Sequence, residues 1–293
     1  MNWDDIRIFL AVARAGQILG AARRLGLNHA TVSRRIAALE QAVGAKLFHR
    51  LTTGSELTPA GERLLAIAER MEADTISARA ELAGEGEEIS GTVRIGAPDG
   101  FGVAFLAPRL GRLTAIHPDL AIQLVPVPRS FSLSRREADI AITVDRPTEG
   151  RLVAGKLVDY TLGLYASGAY VAEHGLPESA EALSTHRLVG YVPDLVISPT
   201  LDYAAEISEE WSAAFAVSSA MGQVEAVRAG TGIGILHTFI ARAYRDLVPV
   251  PFAEPIRRSY WLVYHESMHP TRRIQAVAAF IGEIVEQERA LFV

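Results

Sequence analysis

The chain has 293 residues, enough for two domains with sizeable cores, and its 49% hydrophobic and 22% charged residues are those of a soluble globular protein. Zero cysteines exclude disulfides, thiolate metal sites and cysteine catalysis, and they are compatible with a cytoplasmic setting. The net charge of −5 is uneven: residues 1–60 hold eight Lys and Arg against four Asp and Glu, and the remainder 21 against 30, so the basic charge sits at the amino end. No apolar run reaches the roughly 18 residues that span a bilayer, and the chain starts directly on the amphipathic set Trp3, Ile6, Phe9, Leu10 and Ala13, so neither a membrane partner nor a signal peptide is expected.

The segment from Arg23 to Phe48 predicts a short helix, a tight turn and a second helix. Val32, Ile36, Leu39 and Val43 recur at spacings of four, three and four and form one apolar stripe. Ala30, Arg34, Ala37 and Gln41 point the opposite way, with Thr31 and Ser33 flanking and Arg35 nearer the boundary. Asn28 is a good N-cap, and Gly26 with Leu27 supplies the turn after a helix containing Ala21, Ala22 and Leu25. A basic helix face with small residues suits a DNA groove, which makes the unit a helix-turn-helix candidate. An ordinary surface helical hairpin carries the same pattern, and periodicity alone leaves both readings open.

Residues 47–50 and 55–57 read as two short strands around Thr52, Thr53 and Gly54, a wing. Thr58 and Pro59 then give an N-cap followed by proline at the first helical position. In the helix they start, Leu57, Gly61, Leu64, Ala68, Met71, Thr75, Ala78 and Leu82 alternate spacings of four and three, the seam of a two-stranded pairing between protomers. Gly61, Ala68, Thr75 and Ala78 make that seam weak, and a single helix packed on its own domain is the competing reading. The acidic, glycine-containing stretch 84–91 reads as a linker.

From Thr92 short apolar strands alternate with helices: strands at 92–96, 121–125 and 139–143, with helices near 104–116 and 131–136. A second set follows, with strands near 187–191, 214–217 and 232–236 and a helix at 221–229. This predicts α/β layering with a largely parallel sheet, closed by a final helix over 271–289 that packs back on the first half. The expected domains are 1–58, a winged helix-turn-helix; 59–90, a linker and dimerisation helix with hinge; and 91–293, a two-lobed α/β domain. Its first lobe covers about 91–163 and 266–293, its second about 164–265. Two lobes with two crossings favour a small-molecule ligand in the cleft, where strand ends face each other.

The strings Trp3-Asp4-Asp5-Ile6-Arg7-Ile8-Phe9-Leu10, Ala21-Ala22-Arg23-Arg24-Leu25-Gly26-Leu27, Thr31-Val32-Ser33-Arg34-Arg35-Ile36-Ala37-Ala38-Leu39-Glu40 and Leu57-Thr58-Pro59-Ala60-Gly61-Glu62 resemble, in this order and spacing, the DNA-binding domain of LysR-type transcriptional regulators. Softer matches are Val93-Arg94-Ile95-Gly96, Ala138-Asp139-Ile140-Ala141-Ile142 and Gly230-Thr231-Gly232-Ile233-Gly234-Ile235-Leu236, which resemble the family's co-inducer domain. The resemblance implies a cytoplasmic, non-enzymatic regulator without a cofactor. It implies a double-stranded operator read as an interrupted palindrome, a homodimer or homotetramer, and a small-molecule effector held in a domain similar to periplasmic binding proteins. A solute-binding protein or an enzyme is the alternative, and no placed nucleophile, acid–base pair or cofactor loop supports an enzyme.

On that resemblance the DNA-binding residues are expected among Asn28, His29, Ala30, Thr31, Ser33, Arg34, Arg35, Arg50, Thr52 and Thr53. Arg34 reads guanine or pairs with phosphate, Arg35, Arg50 and Ser33 touch phosphate, and His29 and Thr31 meet base edges or the groove wall. His29 stands where the family usually has glutamine, and Gln17 lacks the usual capping hydroxyl. In the body, Pro98, Asp99, Gly100 and Phe101 follow the first strand and should lie at its ligand edge. Asp99 stands where serine or threonine often holds an effector carboxylate, and its charge would repel one, so a neutral, cationic or amine-bearing effector is expected. Arg129 after the next strand either clamps an anion or neutralises Asp99. Ser219, Met221 and Gln223 open a helix whose free N–H groups suit a polar ligand group, or simply cap it. Phe131 and Thr143 complete the expected effector-binding set.

His265-Glu266-Ser267-Met268-His269 matches the HExxH zinc signature, but it follows the strand-like 260–264 and precedes Pro270, so an extended loop is expected and no metal.

Overall fold

The computed structural model describes residues 2–51, 54–82, 89–127, 138–147, 150–196, 201–208 and 211–292. The chain divides between Glu87 and Glu88 into two compact units, the first also taking in His265–Thr271. The expected helix near 131–136 lies outside the described residues, as do Thr52, Thr53, Arg129 and Phe131. Among the described residues no helix is long and apolar enough to cross a membrane.

The amino-terminal unit packs α1 (Trp3–Ala15), α2 (Ile18–Leu25) and α3 (His29–Val43) around Phe9, Leu10, Val12, Val32, Ile36 and Leu39, all buried. The sequence signals act locally here. The Asn28 side chain accepts from the Thr31 N–H at 2.7 Å, and Gly26 closes α2 at a φ of 64°, a left-handed conformation that costs glycine little. Gln17 makes no side-chain cap, as its chemistry predicts. Val43 departs from expectation. It is 41% exposed, because α3 ends at once on left-handed Gly44 and only Val32, Ile36 and Leu39 reach the core.

Strands β1 (Phe48–Leu51) and β2 (Gly54–Leu57) pair antiparallel as the expected wing, and the Ser55 N–H donates to the Gly16 carbonyl at 2.8 Å. Helix α4 runs over Pro59–Leu82, with the Thr58 hydroxyl accepting from the Gly61 N–H at 3.0 Å. The early part of its seam is spent inside its own unit: Leu57, Leu64 and Ala68 join the core, and a Cβ on Gly61 would stand 2.2 Å from the Leu47 carbonyl oxygen. Further along, Ile67 and Met71 are exposed.

Among the described residues the carboxy-terminal unit holds a nine-stranded sheet. Its strands are β3 (Gly91–Ala97), β4 (Leu120–Pro126), β5 (Ile140–Thr143), β6 (Leu152–Ser167), β7 (Leu188–Gly190), β8 (Phe215–Ala216), β9 (Ile233–His237), β10 (Leu247–Pro249) and β11 (Ile256–His265). The path runs β4-β3-β5-β11-β6-β9-β7-β8, with β10 on β6. It is mixed, which corrects the largely parallel expectation. β3–β4, β3–β5, β7–β8 and β7–β9 are parallel, whereas β5–β11, β6–β9 and β6–β10 are antiparallel. The long β6, which no sequence signal was used to predict, links both halves. Its alternating Val158, Tyr160, Leu162 and Leu164 are buried, the period-two pattern of a half-covered strand.

Helix α5 (Asp99–Phe101) leads through a π-helical turn, Gly102–Leu106, into α6 (Ala107–Ile116). In the second half come α7 (Gly168–His174), α8 (Tyr203–Ile207), α9 (Ala220–Arg228) and α10 (Thr238–Ala241). The last helix, α11 (Arg272–Gln287), packs on β3, β6 and α6 through Ile274, Val277, Ile281 and Val285, as its spacing predicts. β11 runs to His265 and a 3-10 turn, Glu266–Met268, follows, so the HExxH histidines share no α-helical face.

Candidate functional site

Two places bring polar chemistry together, one in each unit. In the first, Asn28, His29, Ala30, Arg34, Ala37 and Gln41 are exposed on α3, with Thr31, Ser33 and Arg35 partly covered. Among the described residues, four cations of this unit are committed internally. Arg7 pairs with Asp4 at 2.9 Å, Arg14 with Glu72 at 2.6 Å and Lys46 with Glu40 at 2.6 Å. Arg35 pairs with Asp4 and, at 2.9 Å, with Asp5, clamping α3 onto the start of α1. The Arg7 guanidinium, with Arg35, holds the Asp4 carboxyl below the usual range. Partial burial resists ionisation of Glu40, but hydrogen bonds from Lys46 and from the Leu47 and Phe48 N–H groups outweigh it and lower its pKa.

Among the described residues Arg23, Arg24, Arg34 and Arg63 are exposed and make no ion pair, and the first three stand together on α2 and α3. Arg23 and Arg24 were not singled out from the sequence. Their signal lay in their place, the last turn of the helix before the recognition turn. Arg50 lies on β1.

The second place is a cavity of about 630 Å³ in the carboxy-terminal unit, lined from the turn after β3, from β5, β6, β7, β9 and α8, and from the start of α9. Of the predicted effector residues, Pro98, Asp99, Gly100, Thr143 and Gln223 line it. Phe101 does not. It is fully buried, its ring centroid 4.5 Å from that of Tyr260 and 5.1 Å from that of Phe105, so its side chain is spent on the core. Met221 also turns away, its side chain packed on the core that contains Val224 and Ile240. Gly100 lies against α9 and α10: a Cβ there would meet Ala220 and Ile240 at 3.2 Å.

Asp99 meets the head of α9. Its Oδ2 accepts from the Ser219 hydroxyl at 2.6 Å and from the Met221 N–H at 3.3 Å, while Ser219 Oγ accepts from the Gly222 N–H at 3.0 Å. A carboxylate, a capping hydroxyl and a helix N-terminus thus satisfy one another. Ser219 and Met221 reach the cavity's chemistry only through Asp99.

Sequence reasoning missed Tyr191, Tyr203, Trp211 and His237, all of which line the cavity. The Tyr191 hydroxyl donates to the Ser218 carbonyl at 3.0 Å, and burial, with the Asp99 and Tyr203 charges adding, pushes its pKa up to about 12. His237 stacks on Tyr160, ring centroids 5.4 Å apart, and burial lowers its pKa to about 4 despite the opposing pull of Asp99. The imidazole is therefore neutral near pH 7. No group of three or more histidine, aspartate or glutamate side chains that would hold a metal occurs among the described residues.

Residues 3–62 match the profile described as a bacterial regulatory helix-turn-helix protein of the lysR family, and residues 86–286 match the LysR substrate binding domain. The chain is 28% identical over 296 residues to the uncharacterized HTH-type transcriptional regulator YhjC of Escherichia coli K12, covering 96% of this chain and 97% of that one. The fold is that of ArgP from Mycobacterium tuberculosis, with a TM-score of 0.70, 20% identity and 96% of each chain covered. It is shared also with full-length LysG from Corynebacterium glutamicum, whose structure holds the effector Arg, with a TM-score of 0.63, 21% identity and coverage of 97% of this chain and 99% of that one.

Proposed function

On the premise that the chain belongs to the LysR family of DNA-binding transcriptional regulators, we propose that α3 is the helix that enters the major groove, with Arg34 as its principal reader and His29, Ala30 and Thr31 beside it. Arg23, Arg24, Arg50 and Ser33, with Thr52 and Thr53 of the wing, hold phosphates and set the register. Arg35, engaged by Asp4 and Asp5, fixes the angle of α3 and adds charge behind it. The observation that carries this reading is the exposure of Arg23, Arg24 and Arg34 without ion pairs on α2 and α3, while Arg7, Arg14, Arg35 and Lys46 of the same unit are each held by a carboxylate.

The cavity is the effector site. An effector shifts operator affinity by binding one arrangement of the protein better than another. The exposed Ile67 and Met71 on α4 supply a face for a second copy, giving a dimer or a tetramer acting on a double-stranded operator in the cytoplasm.

A mobility-shift titration of a fragment carrying the promoter next to the protein's own gene tests this. The expected result is saturable binding that beats scrambled DNA and weakens linearly in log affinity with log salt. Equal binding to scrambled DNA, or none, overturns it.

A further inference from the structure

We infer that the cavity takes an uncharged, largely apolar ligand with a hydrogen-bond acceptor, and that Asp99 is a built-in occupant of the slot at the head of α9 where a ligand's anionic group would sit. This rests on reading the cavity as the effector site. Four observations lead to it.

The slot is filled. Asp99 Oδ2 already takes the Ser219 hydroxyl and the Met221 N–H, so a ligand carboxylate would lose those donors and face a like charge. Among the described residues the cavity offers an anion no cationic partner: no lysine or arginine lines it, and His237 is neutral.

A cation fares little better. Asp99 has its charge compensated by two donors and the helix terminus, Asp145 is engaged in an interaction of its own, and Asp202 is exposed to water. The remaining wall is apolar, with Leu162, Val189 and Ile235 beside the rings of Tyr191 and Tyr203.

Among the described residues a fully buried donor is left over. Trp211 Nε1 is buried without a hydrogen-bond partner, 3.2 Å from where a Cβ on Gly190 would stand, and both residues line the cavity. An unpaired buried N–H is costly, and a carbonyl or ether oxygen on the ligand would satisfy it.

Calorimetric titration of the full-length protein with four probes of one size tests this: acetylnaphthalene, naphthoate, naphthylmethylamine and ethylnaphthalene. Acetylnaphthalene should bind about tenfold or more tightly than naphthoate and naphthylmethylamine, the cost of placing a charge in an apolar site that offers it no free partner. Asp99→Ser should improve naphthoate about tenfold while leaving acetylnaphthalene nearly unchanged, and Asp99→Asn, closer in shape, should move naphthoate in the same direction. Trp211→Phe should weaken acetylnaphthalene about fivefold and leave ethylnaphthalene alone. If naphthoate or naphthylmethylamine binds wild type most tightly, the ligand class falls while the cavity stands as a small-molecule site. If naphthoate is unmoved in both folded Asp99 variants, Asp99 does not fill the slot. Equal losses for acetylnaphthalene and ethylnaphthalene in Trp211→Phe overturn the acceptor contact. Binding of no probe overturns the class and the cavity together.

Discussion

The outward face of α3 and the floor of the cavity are both polar, yet they handle polarity in opposite ways. On α3 the Arg34 guanidinium projects to solvent with no ion pair, leaving its donors for another molecule. At the cavity floor Asp99, Ser219 and the head of α9 satisfy one another. A surface meant for a highly charged partner is left electrostatically incomplete, whereas a charge partly withdrawn from water in a cavity is costly to leave unsatisfied. The contrast also separates the two arginines in sequence on α3: Arg34 is available, and Arg35 is spent on Asp4 and Asp5.

The largest effect expected from this contrast is at Arg34. Arg34→Ala should cost about 2 kcal/mol of promoter binding and lower the salt slope by about one, with the thermal midpoint unchanged. Fluorescence anisotropy at several salt concentrations reads both quantities. Undiminished affinity would break the idea that the exposed cation is the reader.

The enclosed side is tested by pH. His237 titrates near 4 in the folded protein and near 6.5 when unfolded, so the unfolded chain takes up a proton first as pH falls. Its contribution is fully present above about pH 6.5 and is lost on the way down to about pH 4. At about 1.4 kcal/mol per pH unit, roughly 2 kcal/mol goes between pH 6.5 and 5. Denaturant midpoints of wild type and His237→Gln over this range should converge as pH drops, and parallel curves would show that the imidazole is not desolvated.

The smallest effect sharpens the local side of the comparison. Asn28→Ala removes the acceptor of the Thr31 N–H at the start of α3 and should destabilise the amino-terminal unit by about 1 kcal/mol. Urea unfolding followed by circular dichroism checks it, and a stability change near zero would mean that water replaces the cap.

The two sites were unequally legible in the sequence. α3 could be read because its stripe, cap and turn glycine lie within one stretch of chain. Even there Val43 fits the spacing and stays exposed, since periodicity cannot say where a neighbour's surface ends. The seam of α4 is also present as spacing, but Gly61 and Ala68 are small because Leu47 and the domain core approach them. At the cavity, the position of Asp99 after β3 was legible and its partner was not. Phe101, two residues on, was misjudged because the direction of a side chain after a strand depends on the turn that follows.

The chemistry of near neighbours and repeats of 3.6 or two residues are enough to write the helix order of the amino-terminal unit, its capped recognition helix, its wing and the uneven charge. Which cations remain unpaired, the antiparallel placing of β6 and β11 that makes the sheet mixed, and the meeting of Asp99 with Ser219 come from the three-dimensional packing. Asp99 and Ser219 are 120 residues apart along the chain. Their meeting is set by the layering of sheet and helices, and no local pattern encodes the direction from which a distant helix arrives.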